Sequence, residues 1–195
     1  MSWFPIVNQK NAAPMQASAS DITSCFHNEK ETLFRLAFLI TGDEAQAQAS
    51  VINAYELTLQ GKTPFRDWLF EWAKSATVRS AIRAQLDEIR RCESAYKDSY
   101  YDDPEYRSQQ TDQQRMAESI WRLDPGLVIS ELDLFARSIL VLRGVVHASA
   151  RDCAVQLNVS HQSVLAAQCR ISAWLSTMCE NQQPELACQV VRQCP

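Results

Sequence analysis

Residues 149–170 read SARDCAVQLNVSHQSVLAAQCR, and this stretch permits few local folds. Ser149 followed three residues later by Asp152 is a capping box, in which each side chain satisfies the other residue's free backbone N–H. It opens a short amphipathic helix that ends at Leu157. Asn158 tolerates the left-handed conformation better than most side chains, so the chain can turn sharply there. Ser160 then caps a second helix, and Val159 with Val164 hold the two positions of a hydrophobic staple. These signals predict a helix-turn-helix.

The same punctuation recurs upstream. ETLFRLAFLITGD is an apolar helix that stops at Thr41-Gly42, and Asp43 caps the next helix with Gln46 three residues on. In that helix Ala45, Ala49, Ile52, Tyr55 and Leu59 fall at helical spacing and predict the buried stripe. Gly61 ends it, and Thr63-Pro64 starts a third helix, with proline where its missing N–H costs nothing. The third helix is expected to bury Phe65, Trp68, Leu69, Trp72 and Ala76, then Ile82, Leu86 and Ile89. Farther on, Leu134, Phe135, Ile139, Leu142 and Val146 form a stripe that ends near Gly144–His147. Only four glycines in 195 residues fit an all-α fold.

The expected organisation is two small helical domains joined by an acidic linker. Residues 1–20 read as a flexible arm whose Trp3–Val7 patch docks on the body. Residues 21–92 form a three-helix bundle. Residues 93–129 hold four basic and eight acidic side chains and read as a linker with one helix, QQRMAESIWRL, near its end. Residues 130–178 form the helix-turn-helix domain, and within it residues 132–178 hold four arginines against two aspartates. Residues 179–195 form a cysteine-containing tail.

No apolar run approaches the roughly 20 residues of a membrane span. MSWFPIVNQK lacks a basic stretch followed by an apolar core, so no secretory signal is read and a cytoplasmic location is expected. The seven cysteines are odd in number and make no CxxC pair, which fits free thiols. Cys153 and Cys169 sit in apolar helical patterns and are expected in the core. The tail trio Cys179, Cys188 and Cys194 has no paired metal-ligand spacing. There is no glycine-rich phosphate loop and no Ser/His/Asp or Cys/His arrangement, so no enzyme, cofactor or metal is expected. A net charge of −4 disfavours indiscriminate nucleic-acid binding, although a local basic face remains open.

Two segments carry a family resemblance. LFRLAFLITGDEAQAQASVINAYELTL, followed by FRDWLFEWAKSATVRSAIR, resembles region 2 of the extracytoplasmic-function sigma factors. ELDLFARSILVLRGVVHASARDCAVQLNVSHQSVLAAQCRISAWL resembles their region 4, in the right order with a linker between. The resemblance implies a transcription initiation protein whose partners are core RNA polymerase and promoter DNA, with an anti-sigma protein as a further partner. Region 2 then docks on polymerase and captures unstacked promoter bases. Region 4 lays its second helix in the major groove.

On that reading polymerase contact falls to Gln48, Val51, Asn53 and Tyr55. DNA contact falls to His161, Gln162, Ser163, Gln168 and Arg170 of the last helix, and to Lys74, Arg79 and Arg83 on a basic edge that continues through Arg90 and Arg91. The chain also departs from the family. Residues 47–52 read AQASVI where the family carries two acids and a glutamine, and Leu165 and Ala167 stand where it carries a lysine and a basic residue. Each phosphate neutralised by Lys or Arg contributes to salt-dependent affinity, and Arg170 plus one helix N-terminus is a thin supply. The alternative is therefore a sigma-derived module that binds a protein partner without reading DNA.

Overall fold

A computed structural model describes residues 15–61, 63–97 and 109–181. They are all-helical: no strand forms among them, and a single antiparallel bridge joins Gln16 to Phe65. No helix is long and apolar enough to cross a membrane. The Trp3–Val7 patch lies outside the described residues.

Ten α-helices follow in order among the described residues. The helix α1 (Ala19–Asn28) starts inside the segment expected to be an arm, because Ser18 and Asp21 form a reciprocal capping box. It turns Ile22 and Phe26 inward and adds a helix to the expected three. The α2 helix (Lys30–Thr41) ends at Gly42 in the left-handed conformation (φ 68°), and α3 (Glu44–Gln60) begins where Asp43 accepts from Gln46 N–H at 2.8 Å. A 3-10 turn (Arg66–Trp68) leads into α4 (Leu69–Ala84), and α5 (Leu86–Glu93) follows a break at Gln85. Neither Gly nor Pro dictates this break. A second 3-10 turn (Ser94–Tyr96) ends the first block.

Two expected faces are corrected. In α3 the inward residues are Ala47, Ser50, Ala54 and Thr58, while Ala45, Ala49, Ile52 and Leu59 are exposed. Small residues let α2 and α4 approach closely, and the two hydroxyls stay satisfied by bonding back to Gln46 and Ala54 carbonyls. Large apolar residues therefore do not mark the inner face here. In the third segment Leu69, Ala73, Val78, Ala81, Ile82 and Ile89 are buried, whereas Trp68 is 71% exposed, Trp72 41% and Phe65 44%.

The second block comprises α6 (Gln109–Ile120), α7 (Pro125–Glu131), α8 (Leu134–Gly144), α9 (Ala150–Leu157) and α10 (His161–Asn181). The expected linker is thus partly packed helix: Tyr96, Met116, Ile120, Leu123 and Val128 are buried. Arg35 of α2 donates to the Ile120 and Leu123 carbonyls, meeting the C-terminal end of α6. Residues 98–108 lie outside the described residues. Every residue of α8 is buried, rather than one stripe of it. This helix packs on α2, α4, α5, α6, α7, α9 and α10. Gly144 lets α6 come close, since a β-carbon there would meet the Met116 carbonyl oxygen at 3.1 Å.

One apolar cluster runs from Leu36 in α2 through Phe135 and Leu140 in α8 to Leu175 in α10, and a smaller one lies beneath α1. Full burial of each Leu, Ile or Phe in it contributes roughly 1.5–3 kcal/mol. The α5–α8 and α5–α9 contacts bring the end of the first block against the helix-turn-helix.

Candidate functional site

The helix-turn-helix takes the geometry its sequence predicts. Ser149 and Asp152 complete their capping box, Asn158 closes α9 in the left-handed region (φ 54°), and Ser160 Oγ accepts from Ser163 N–H at 3.0 Å. Leu157 and Val164 are fully buried on either side of the turn, and Cys153 is buried beside them. Cys169 is half-buried. Arg143, also buried, donates to the Ala148 carbonyl at 2.8 Å and so ties the loop before α9 to α8.

The face of α10 expected to read DNA is only partly open. His161 and Gln162 are exposed. Ser163 and Gln168 are buried. With its amide oxygen turned toward Arg143, Gln168 accepts from Nε at 2.7 Å and from Nη2 at 3.2 Å. Ser163 Oγ donates to the Glu93 carboxylate at 2.8 Å, and the same oxygen accepts from Ser160 N–H at 3.1 Å. Glu93 is only 5% exposed, yet its other oxygen reaches Lys97 at 3.5 Å. Its placement at the positive end of α10 is electrostatically favourable. Arg170 is exposed but engaged by Asp133 at 3.2 Å and by the Tyr96 hydroxyl at 3.0 Å.

The other expected positions separate onto different faces. Arg79 and Arg83 line one groove of about 240 Å³ between α3 and α4, together with Leu57, Thr58 and Trp72. Arg79 donates from Nε to the Ser75 carbonyl and stands 5.6 Å above the Trp72 ring. Lys74 does not join them; its ammonium pairs with Glu71 at 2.7 Å and sits over Phe70. Arg90 and Arg91 pair with Asp87 and Glu88.

Of the expected polymerase contacts, Gln48 and Val51 line a second groove of about 450 Å³ with Phe34 and Ile52, between α2 and α3. Asn53 instead donates to Ser80 Oγ on α4 at 3.0 Å, and Tyr55 packs edge-on against Phe26 with its hydroxyl on Thr23. The four do not form one patch.

Sequence reasoning missed Glu93, Tyr96 and Asp133, the three groups that cover α10. Glu93 and Tyr96 sat in a stretch read as linker, and no local spacing links them to Ser160 or Arg170. It also missed the exposure of Trp68 and Trp72. Chemically the site offers two surfaces: an aromatic and arginine groove suited to stacked bases or an acidic partner, and a helix start already occupied by a carboxylate. Among the described residues no cluster of His, Cys, Asp and Glu can hold a metal ion. Cys188 and Cys194 lie outside the described residues. Comparison with known proteins finds no matching family model, no matching curated protein and no matching solved structure.

Proposed function

We propose that this chain is a sigma-factor-like transcription initiation protein that binds core RNA polymerase and promoter DNA in the cytoplasm. The observation that carries the reading is the α9–Asn158–α10 unit, with both caps and the left-handed turn in place. Downstream DNA reading falls to His161 and Gln162, which stand exposed at the start of α10. The upstream bundle contributes an exposed Trp72–Arg79–Arg83 groove, whose chemistry suits unstacked bases and their phosphates.

The second reading, a module that binds a protein partner without reading DNA, is favoured by one observation: Ser163 and Gln168, two of the expected base contacts, are buried. Capture of purified core RNA polymerase by the tagged full-length chain separates the two. Retention of core enzyme, followed by transcription from a promoter library, is the result expected of an initiation protein. No retention at low salt, together with no DNA affinity, transfers the function to the protein-partner reading.

A further inference from the structure

We infer that Glu93 is an autoinhibitory latch: its carboxylate occupies the start of α10 where a DNA phosphate would sit, and holds the reading helix closed against α5. The inference rests on the proposed DNA-binding function. Glu93 belongs to α5, yet it accepts from the Ser160 backbone N–H at 3.1 Å and from the Ser163 hydroxyl at 2.8 Å. The Ser160 N–H is one of the free backbone donors that make a helix N-terminus a receptor for a phosphate oxygen, and the Ser163 hydroxyl adds a side-chain donor beside it. A carboxylate and a phosphate compete for them directly, because both are anionic acceptors.

The second cationic feature of the same helix is treated alike. Arg170, ten residues on and about 15 Å along the helix axis, is held by the Asp133 carboxylate at 3.2 Å and by Tyr96 at 3.0 Å. Two carboxylates of the chain itself therefore hold the Ser160 N–H and the Arg170 guanidinium, two groups of α10 whose chemistry suits a phosphate. Lys97, 3.5 Å from the outer oxygen of Glu93, keeps the buried carboxylate paired. A bound duplex has to displace Glu93 before α10 can enter a groove. An encounter with DNA alone meets the exposed His161 and Gln162 but not the donors held by Glu93, and freeing those donors requires that α5 and α10 part.

The test uses the full chain with Glu93→Gln, Glu93→Gln combined with Asp133→Asn, and Ser163→Ala. Ser163→Ala removes one bond to Glu93 and leaves α5 unchanged, so it serves if loss of the carboxylate impairs folding. Two readouts are taken: hydrogen exchange at the Ser160–Val164 amides, and low-salt binding of a fluorescent duplex of random sequence. The Glu93 variants should exchange about tenfold faster there. They should bind the duplex about tenfold more tightly, and the double variant should show a steeper salt dependence as Arg170 becomes free to meet a phosphate. Exchange unchanged from wild type in all three variants overturns the latch. Faster exchange with duplex affinity equal to a measurable wild-type value overturns its competition with DNA. Faster exchange with no duplex binding by any form upholds the closing contact and removes the DNA-binding reading.

Discussion

The Arg170 guanidinium lies 3.2 Å from the Asp133 carboxylate and 3.0 Å from the Tyr96 hydroxyl, so one side chain on α10 joins the cap of α8 to the turn after α5. Asp133 serves three partners. One oxygen caps α8 through Ala136 N–H, and the other accepts from Tyr96 and Arg170. Burial first, then the Asp133 carboxylate, holds the Tyr96 phenol well above its ordinary range, with Arg170 opposing in part.

That shift has a definite sign. A phenol whose pKa is higher in the folded state contributes stability that is fully present below the unfolded value of about 10 and is lost as pH rises above it. Tyr96→Phe should therefore cost about 1 kcal/mol at neutral pH and flatten the alkaline decline. Urea denaturation at a series of pH values compares the two proteins; parallel declines above about pH 10 would remove Tyr96 as the cause.

Leu157 is fully buried at the point where α9 meets its turn. Truncation to Ala leaves a cavity between α9 and α10, at a cost of roughly 2–5 kcal/mol. Equilibrium denaturation of the full chain measures it. A change below about 1 kcal/mol is not what a rigid core position gives.

Gly42 is fixed by two constraints at once. Its φ of 68° ends α2 in the left-handed region, and an added β-carbon would stand 3.2 Å from Arg137 Nη1. Gly42→Ala should destabilise by about 1 kcal/mol or more. Gly126→Ala, whose β-carbon meets only ordinary contacts from 3.6 Å outward, should be neutral or slightly stabilising. Thermal melts of the pair check the contrast, and equal shifts would argue against strain at Gly42.

The caps were legible in the sequence because capping is local chemistry. Asp43, Ser149 with Asp152, Asn158 and Ser160 each declare themselves within three residues, and each stands where expected. Side-chain direction was legible only where large residues face the core. In α3 the inner face is Ala47, Ser50, Ala54 and Thr58, so a search for bulky apolar periodicity selects the wrong side of the helix. The Glu93–Ser160 contact spans 67 positions. It depends on how α5 meets α10, and no spacing within either segment encodes it.

Cys153 tests the interior beside the helix-turn-helix. Burial pushes its thiol up to about 12, with nearby Arg143 opposing and Asp152 adding to the rise. The thiolate is the reactive form, so burial keeps Cys153 protonated and unreactive at pH near 8. In native protein Cys153 should be the slowest of the described cysteines to react with iodoacetamide, and denaturation should abolish the difference. Peptide mass spectrometry after timed labelling resolves each position. Early modification of Cys153 would mean that α9 opens readily.

Trp72 and Arg79 provide the sharpest test of the upstream surface. Trp72 is 41% exposed and carries Arg79 above its ring at 5.6 Å, so removing the indole costs little of the core. On the proposed function this pair meets an unstacked base and its phosphate. Trp72→Ala should then weaken binding to a promoter bubble by about 1–3 kcal/mol, the range of one stacked base, while thermal stability changes little. Arg79→Ala and Arg83→Ala should each lower the slope of log affinity against log salt by about one, whatever the sequence of the strand. The three variants differ in which quantity moves: Trp72 sets affinity at every salt concentration, and the arginines set its salt dependence. Bubble binding titrated over salt, with core polymerase present, measures both. If Trp72→Ala abolishes capture by core polymerase while the arginine variants leave every salt slope unchanged, the groove is a protein-docking surface and base capture at this face is excluded.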